Sequence, residues 1–318
     1  MSPAGAGDPD RTYVLAAAGP FPWRPLVRSL AAHAVPGLEN VEVTASGAVL
    51  TRLWPAPGGP VLARIGLDAP DRVSVSLCGG RQDNDAGCLG AVRSWLDLDA
   101  DTPAVDTALA AFPRLAPLVE RYPGLRIPGS VDGFETAVLT VLGQQVSLAA
   151  ARTFAARLVA AYGTAGPGGL RTFPAPGELA AVAPADLQAA VRITGARAGS
   201  IHALAQAAAG GLELGRHSDW QAVRPALLAL PGIGPWTADY LEVRAAGNRD
   251  AFIPGDLVLR RALGVATAKE AIRLAEDWRP WRAYALFHLW TEAAYDVVPA
   301  PSQPCLTRSE GRVTRQRG

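Results

Sequence analysis

The spacing of apolar residues changes near residue 104. Ahead of it, short runs at 41–44, 48–53, 61–67 and 73–77 are separated by Gly, Pro and Asp turns, the signature of an antiparallel sheet. Helical spacing at 23–33 (Leu26, Val27, Leu30, Ala31) and at 86–95 supplies helices to lie on one face. Asp101-Thr102-Pro103 then breaks the pattern. Beyond it apolar residues recur every three or four positions, and the chain reads as almost entirely helical. Helices are expected at 105–111, 115–122, 184–191, 196–209, 220–230, 257–263, 268–276 and 281–294. Asp132-x-x-Glu135 has the form of a capping box opening a helix to about 146, and Ser147 caps another to about 162. The stretch 163–177 is expected to be a Gly/Pro loop, and residues 1–12 and 299–318 to be disordered.

Composition narrows the class. With 318 residues, 49% hydrophobic and 19% charged, the chain has the balance of a soluble globular protein. No stretch reaches the ~18 uninterrupted apolar residues of a membrane span, and the first residues lack the basic and apolar regions of a secretory signal. A cytoplasmic protein with no membrane partner is expected. Cys78, Cys88 and Cys305 have no CxxC spacing and are too few for a four-cysteine iron–sulfur or zinc site. Net charge is +1, so contact with a polyanion requires a local patch. Lys269 is the only lysine, which restricts any mechanism that needs an amine nucleophile.

Candidate chemistry gathers in residues 230–256, LPGIGPWTADYLEVRAAGNRDAFIPGD. Pro231-Gly232-Ile233-Gly234 suits a tight turn, in which two glycines can supply positive φ. Pro235 is pre-shaped for the first position of a helix. Backbone amides at such a start make a site for a phosphate, although the same sequence serves a plain helical hairpin. Trp236 and Tyr240, four apart, share a helix face. They suit either core packing or the wall of a pocket for an extruded base, with Trp290 a candidate for the facing wall. Asp256 suits a helix N-cap, and the positive end of a helix also favours a carboxylate anion there. Gln144-Gln145 near a helix end is either solvated or placed to enter a duplex. His33, His202, His217 and His288 have no metal-ligand spacing and are read as structural. Arg308, Arg312, Arg315 and Arg317 form either a solvated tail or an auxiliary DNA contact.

Taken together, these motifs resemble the helix–hairpin–helix–Gly/Pro–Asp superfamily of base-excision DNA glycosylases, within it the bacterial 3-methyladenine DNA glycosylase II group. The resemblance extends to PGLRIPGSVDGFETAVLTVLGQQVS (123–147), DWRPWRAYALFHLW (277–290) and the segment containing AAHAVPGLENVEV (31–43). It implies an α+β fold, a TBP-like antiparallel sheet with helices followed by a two-lobed all-helical core. The implied units are 1–104, one lobe of 105–132 plus 249–298, a second lobe of 133–248, and a tail, 299–318.

By the same resemblance Asp256 is the catalytic aspartate, and Trp236, Tyr240 and Trp290 form the base pocket. Gly232, Ile233, Gly234 and Thr237 hold the DNA backbone, and the carbonyls of Leu230 and Ile233 hold Na⁺ or K⁺. Gln145 falls where some members carry an apolar wedge such as leucine. Trp236 stands where lyase members carry lysine, and the endonuclease III cysteine cluster is missing. The implied activity is a monomeric, monofunctional glycosylase that flips alkylated bases out of duplex DNA and hydrolyses their glycosidic bonds, with no cofactor beyond a monovalent cation. A glycosylase for hypoxanthine or uracil, or a non-catalytic damage-binding protein, remains the alternative.

Overall fold

In a computed structural model that describes residues 10–295, the N-terminal strands pair as an antiparallel sheet. Strands β1 (Arg11–Ala16), β2 (Glu39–Val43), β3 (Ala48–Trp54), β4 (Val61–Leu67) and β5 (Arg72–Cys78) stand in the order β1-β5-β4-β3-β2. Strict alternation decides which face is buried. Val61, Ala63, Ile65 and Leu67 of β4 and Val73, Val75 and Leu77 of β5 all point inward. They pack against Leu26, Val27 and Leu30 of α1 (Trp23–His33) and Val92 and Trp95 of α2 (Asp85–Trp95).

Strand β1 corrects the expectation that residues 1–12 are disordered throughout, since it starts at Arg11 and pairs Tyr13 with Val75. It is an edge strand with an exposed outer face (Thr12, Val14, Ala16), so its apolar signal is thin. Arg11 and Tyr13 anchor it by bonding the Asp85 carboxylate. The expected tail 299–318, with its four arginines, lies outside the described residues.

The remaining described chain is helical. In order come α3 (Thr102–Ala110), α4 (Ala116–Arg121), α5 (Gly133–Gly143), α6 (Leu148–Tyr162), α7 (Pro176–Ala180) and α8 (Pro184–Val191). They are followed by α9 (Gly195–Ala209), α10 (Trp220–Leu228), α11 (Pro235–Arg244), α12 (Leu257–Leu263), α13 (Ala268–Ala275) and α14 (Arg282–Trp290). No helix among the described residues is long and apolar enough to cross a membrane. One hydrophobic core joins α3, α4 and α12–α14. A second joins α5, α6 and α8–α11, and it also takes Val35 and Leu38 from the N-terminal segment. The cleft between these cores is the place where α5, α11, α12 and α14 meet.

Several local expectations change. Helix α5 ends at Gly143, short of 146, because Gln144 turns to ψ 128° and Gln145 to φ +54°. The loop 163–177 closes into α7, which Glu178 caps by accepting the Ala175 N–H at 2.7 Å. Only half of the capping box forms: Asp132 accepts the Glu135 N–H at 2.7 Å. The Glu135 carboxylate instead takes two bonds from Arg52 of β3, at 2.8 and 3.3 Å. That buried pair, with Glu39 accepting from Arg52 at 3.2 Å, clamps the sheet to α5. A second tie runs from Tyr284 Oη on α14 to Asp97 beyond α2, at 2.7 Å.

Candidate active site

The hairpin between α10 and α11 is shaped by one glycine. Gly232 has φ +75°, and a Cβ there would stand 2.2 Å from Ser200 Oγ of α9, so neither backbone nor space admits another residue. Gly234 differs from the expectation that both glycines take positive φ: at φ −100°, ψ 177° it is an extended N-cap. Ile233 is buried and pins the hairpin to the core, and its N–H closes the turn on the Leu230 carbonyl at 3.2 Å. A carbonyl oxygen has a second lone pair, so Leu230 retains one site for a cation. Pro235 occupies the first helical position, and the N–H groups of Trp236 and Thr237 in this first turn have no i−4 carbonyl. The Thr237 side chain is buried, its hydroxyl accepting from Gln144 Nε2 at 3.1 Å, so its contribution to a backbone site is limited to its N–H.

Gln144 also donates to the Gly232 carbonyl at 3.0 Å, while Arg197 of α9 donates to the Gln144 carbonyl at 2.5 Å. These bonds fasten the α5–α6 turn to the hairpin. Gln145 rides exposed on that turn in the left-handed region, a conformation uncommon outside glycine.

Asp256 caps α12, its Oδ1 accepting the Leu259 N–H at 2.7 Å. Oδ1 also accepts from Trp290 Nε1 at 3.0 Å, and Oδ2 from Trp236 Nε1 at 3.2 Å. A carboxylate offers about four lone-pair sites; three donors leave roughly one, on Oδ2. Two indoles from different helices thus fix the carboxylate, though they lie 20 and 34 residues from it in the chain.

The rings of Trp236 and Tyr240 stack at 5.2 Å with planes 14° apart. Trp290 meets Tyr240 at 6.3 Å and 40°, a tilted neighbour that bends the aromatic wall. All three line a cavity of about 470 Å³ together with Asp256, within the ~300–1,000 Å³ typical of small-ligand pockets. Gln145 stands outside its lining. Lys269 is exposed on α13, also outside it.

Among the lining residues given no site role from the sequence are His33 and Arg244. His33 of α1 is held by burial at a pKa of about 4, so its ring is neutral at pH 7. Arg244 follows Tyr240 by four residues on the face of α11 that carries Trp236, and donates from Nη1 to Tyr240 Oη at 2.7 Å. The i, i+4 spacing was the legible signal for Arg244. For His33 there was none, since only the fold brings α1 to the cavity.

Comparison with known proteins matches the chain in two stretches. Residues 12–132 match the AlkA N-terminal domain, and residues 138–276 the HhH-GPD superfamily base excision DNA repair protein. The chain is 41% identical over 293 residues to the probable bifunctional transcriptional activator/DNA repair enzyme AlkA of Mycobacterium tuberculosis, covering 89% of this chain and 57% of that protein. It is thus similar to a little over half of that relative. With DNA-3-methyladenine glycosylase 2 of Escherichia coli it shares 33% identity over 286 residues, 87% of this chain and 96% of the relative. The structure of a 3-methyladenine DNA-glycosylase from Archaeoglobus fulgidus superposes with a TM-score of 0.78 at 19% identity, covering 90% of this chain and all of that one. The chain therefore belongs to the HhH-GPD superfamily of base excision DNA repair proteins, in the branch that carries an AlkA N-terminal domain.

Proposed function

We propose that the protein is a monofunctional DNA glycosylase that hydrolyses the bond between deoxyribose and an alkylated base, of the 3-methyladenine type, in duplex DNA. One observation carries this reading: the Asp256 carboxylate, held by two indole N–H groups, opens its remaining acceptor site beside an aromatic wall in a base-sized cavity. The Escherichia coli relative carries the matching name.

In this mechanism the N–H groups of Gly232, Gly234, Trp236 and Thr237 grip a backbone phosphate, and the Leu230 and Ile233 carbonyls would hold a sodium or potassium ion, which would add positive charge there. Gln145 enters the space left as the base swings out, and the base enters the cavity. Departure of the base leaves positive charge on the sugar. A preorganised Asp256 carboxylate stabilises that charge and orients the attacking water. An alkylated purine already carries a positive charge, so it leaves without a strong acid. Trp236, Tyr240 and Trp290 favour that cation by ~0.5–2 kcal/mol each. The modest size of that term suits a broad substrate range. Schiff-base chemistry has no amine at the site, because Trp236 stands at the cavity and Lys269 does not.

The test is release of free bases from methylated duplex. Wild-type protein releases 3-methyladenine, and Asp256→Asn, which keeps a capping side chain, binds the duplex but loses on the order of 100-fold or more in release. Undiminished release by Asp256→Asn would remove Asp256 from the chemistry. Release of hypoxanthine or uracil alone would move the enzyme to deaminated bases.

A further inference from the structure

Arg244 is a cation built into the wall of the base cavity with most of its donors unspent. A guanidinium presents five N–H donors in a fixed fork. Among the described residues the acceptor Arg244 meets is Tyr240 Oη, and its Nε is buried without a partner. No carboxylate of the described residues lies within 4.0 Å of it, although elsewhere in the fold arginines are paired closely with acids, as Arg52 is with Glu135. The Tyr240 and Phe287 rings, at 5.5 and 6.0 Å, hold the side chain in place. The same bond turns the Tyr240 oxygen into an acceptor and so frees the hydroxyl proton to point elsewhere.

A half-buried, preorganised fork with donors to spare is matched by a ligand that brings an acceptor. Every nucleobase brings ring-nitrogen acceptors, but the acceptor through which arginine distinguishes guanine from adenine is an exocyclic carbonyl oxygen. Oxopurines carry it and adenine-type bases do not. A site built to bond such an oxygen rejects the analogue lacking it far more strongly than an apolar pocket does. Resting on the glycosylase reading, we infer that Arg244 is a specificity-determining residue that bonds the carbonyl oxygen of the extruded base and tilts selection toward oxo-bearing lesions.

The experiment uses one methylated duplex, from which 7-methylguanine (with a carbonyl) and 3-methyladenine (without one) are released in the same tube. Both bases are cationic while attached to the sugar and leave as neutral molecules, so a change in their ratio reports recognition of the carbonyl. In Arg244→Met the ratio of 7-methylguanine to 3-methyladenine kcat/KM falls about tenfold or more. Arg244→Lys, which keeps charge but loses the fork, gives an intermediate ratio, and it carries the test alone if the Met variant does not fold. An unchanged ratio in the folded variants overturns the inference, because a merely structural arginine would slow both bases alike. So does equal weakening of both bases with a salt slope reduced by about one, the mark of a phosphate contact. Wild-type protein that releases neither base would instead sink the glycosylase reading itself.

Discussion

Trp290 Nε1 donates to Asp256 Oδ1 at 3.0 Å, joining the end of α14 to the start of α12. Trp290 is buried, so this bond is largely shielded from competing water. With the bond from Trp236 to the other oxygen, it sets the plane of the carboxylate before any substrate arrives. Removing the donor while keeping the ring isolates that effect. Trp290→Phe loses a hydrogen bond to a charged group, ~1.5–3 kcal/mol, and the loss is expected in kcat, by about tenfold to a hundredfold. Single-turnover base release checks it. A change confined to KM would assign Trp290 to binding alone.

Arg52 is the hinge pin between the sheet and α5, with Glu135 and Glu39 both bonded to it in the interior. Burying these charges is expensive, and removing the cation that both carboxylates bond leaves each without that hydrogen-bonded partner. Arg52→Met is expected to destabilise the protein by about 3–5 kcal/mol. Glu135→Gln costs less, because Glu39 keeps its cation. Urea unfolding at pH 7 reads both, and equal midpoints for Arg52→Met and wild type would show the clamp to be dispensable.

These two sites show what spacing can and cannot convey. The Gly232 turn, the Asp132, Ser147 and Asp256 caps and the alternation of β4 and β5 are local, and each was legible from a few adjacent residues. The capping box misled because Glu135 had a stronger partner 83 residues away, and no local rule reports that. Strand β1 escaped notice because an edge strand buries one face only, and its sequence abuts a Gly/Pro-rich start. Asp256, Trp236, Tyr240 and Trp290 could be named individually. That both indoles would point their N–H groups at the same carboxylate depends on how α11, α12 and α14 cross.

His288 supplies a pH dependence. It is fully buried on α14, and burial pushes its ring from 6.5 down to about 4. The unfolded chain therefore binds the proton more readily. The stability contributed by the neutral ring is complete above about pH 6.5 and drains away as pH falls toward 4, by up to ~1.4 kcal/mol per pH unit. His33, held down in the same way, adds to this slope. His288→Phe keeps the volume and removes the titration, so its stability is expected to fall less steeply between pH 6.5 and 4. Parallel unfolding curves for the two proteins across that window would rule His288 out as a cause.

Gln145 couples stability to function in opposite senses. Its φ of +54° is a conformation that L-residues avoid at a cost of roughly 1–2 kcal/mol. The price is met by the turn around it, in which Gln144 bonds Gly232 and Thr237 while Arg197 bonds the Gln144 carbonyl. Glycine takes this conformation freely but loses more entropy on folding, about 0.5–1 kcal/mol. Gln145→Gly is thus expected to raise stability by a few tenths to ~1 kcal/mol. It also deletes the side chain that would occupy the space of the extruded base. Base release from duplex should then fall, while release from the same lesion in single-stranded DNA, where no stack has to be refilled, should fall much less. Measuring both substrates alongside the thermal midpoint separates the roles. A duplex rate that survives the substitution would mean that Gln145 is strained for the sake of the turn and not for the DNA.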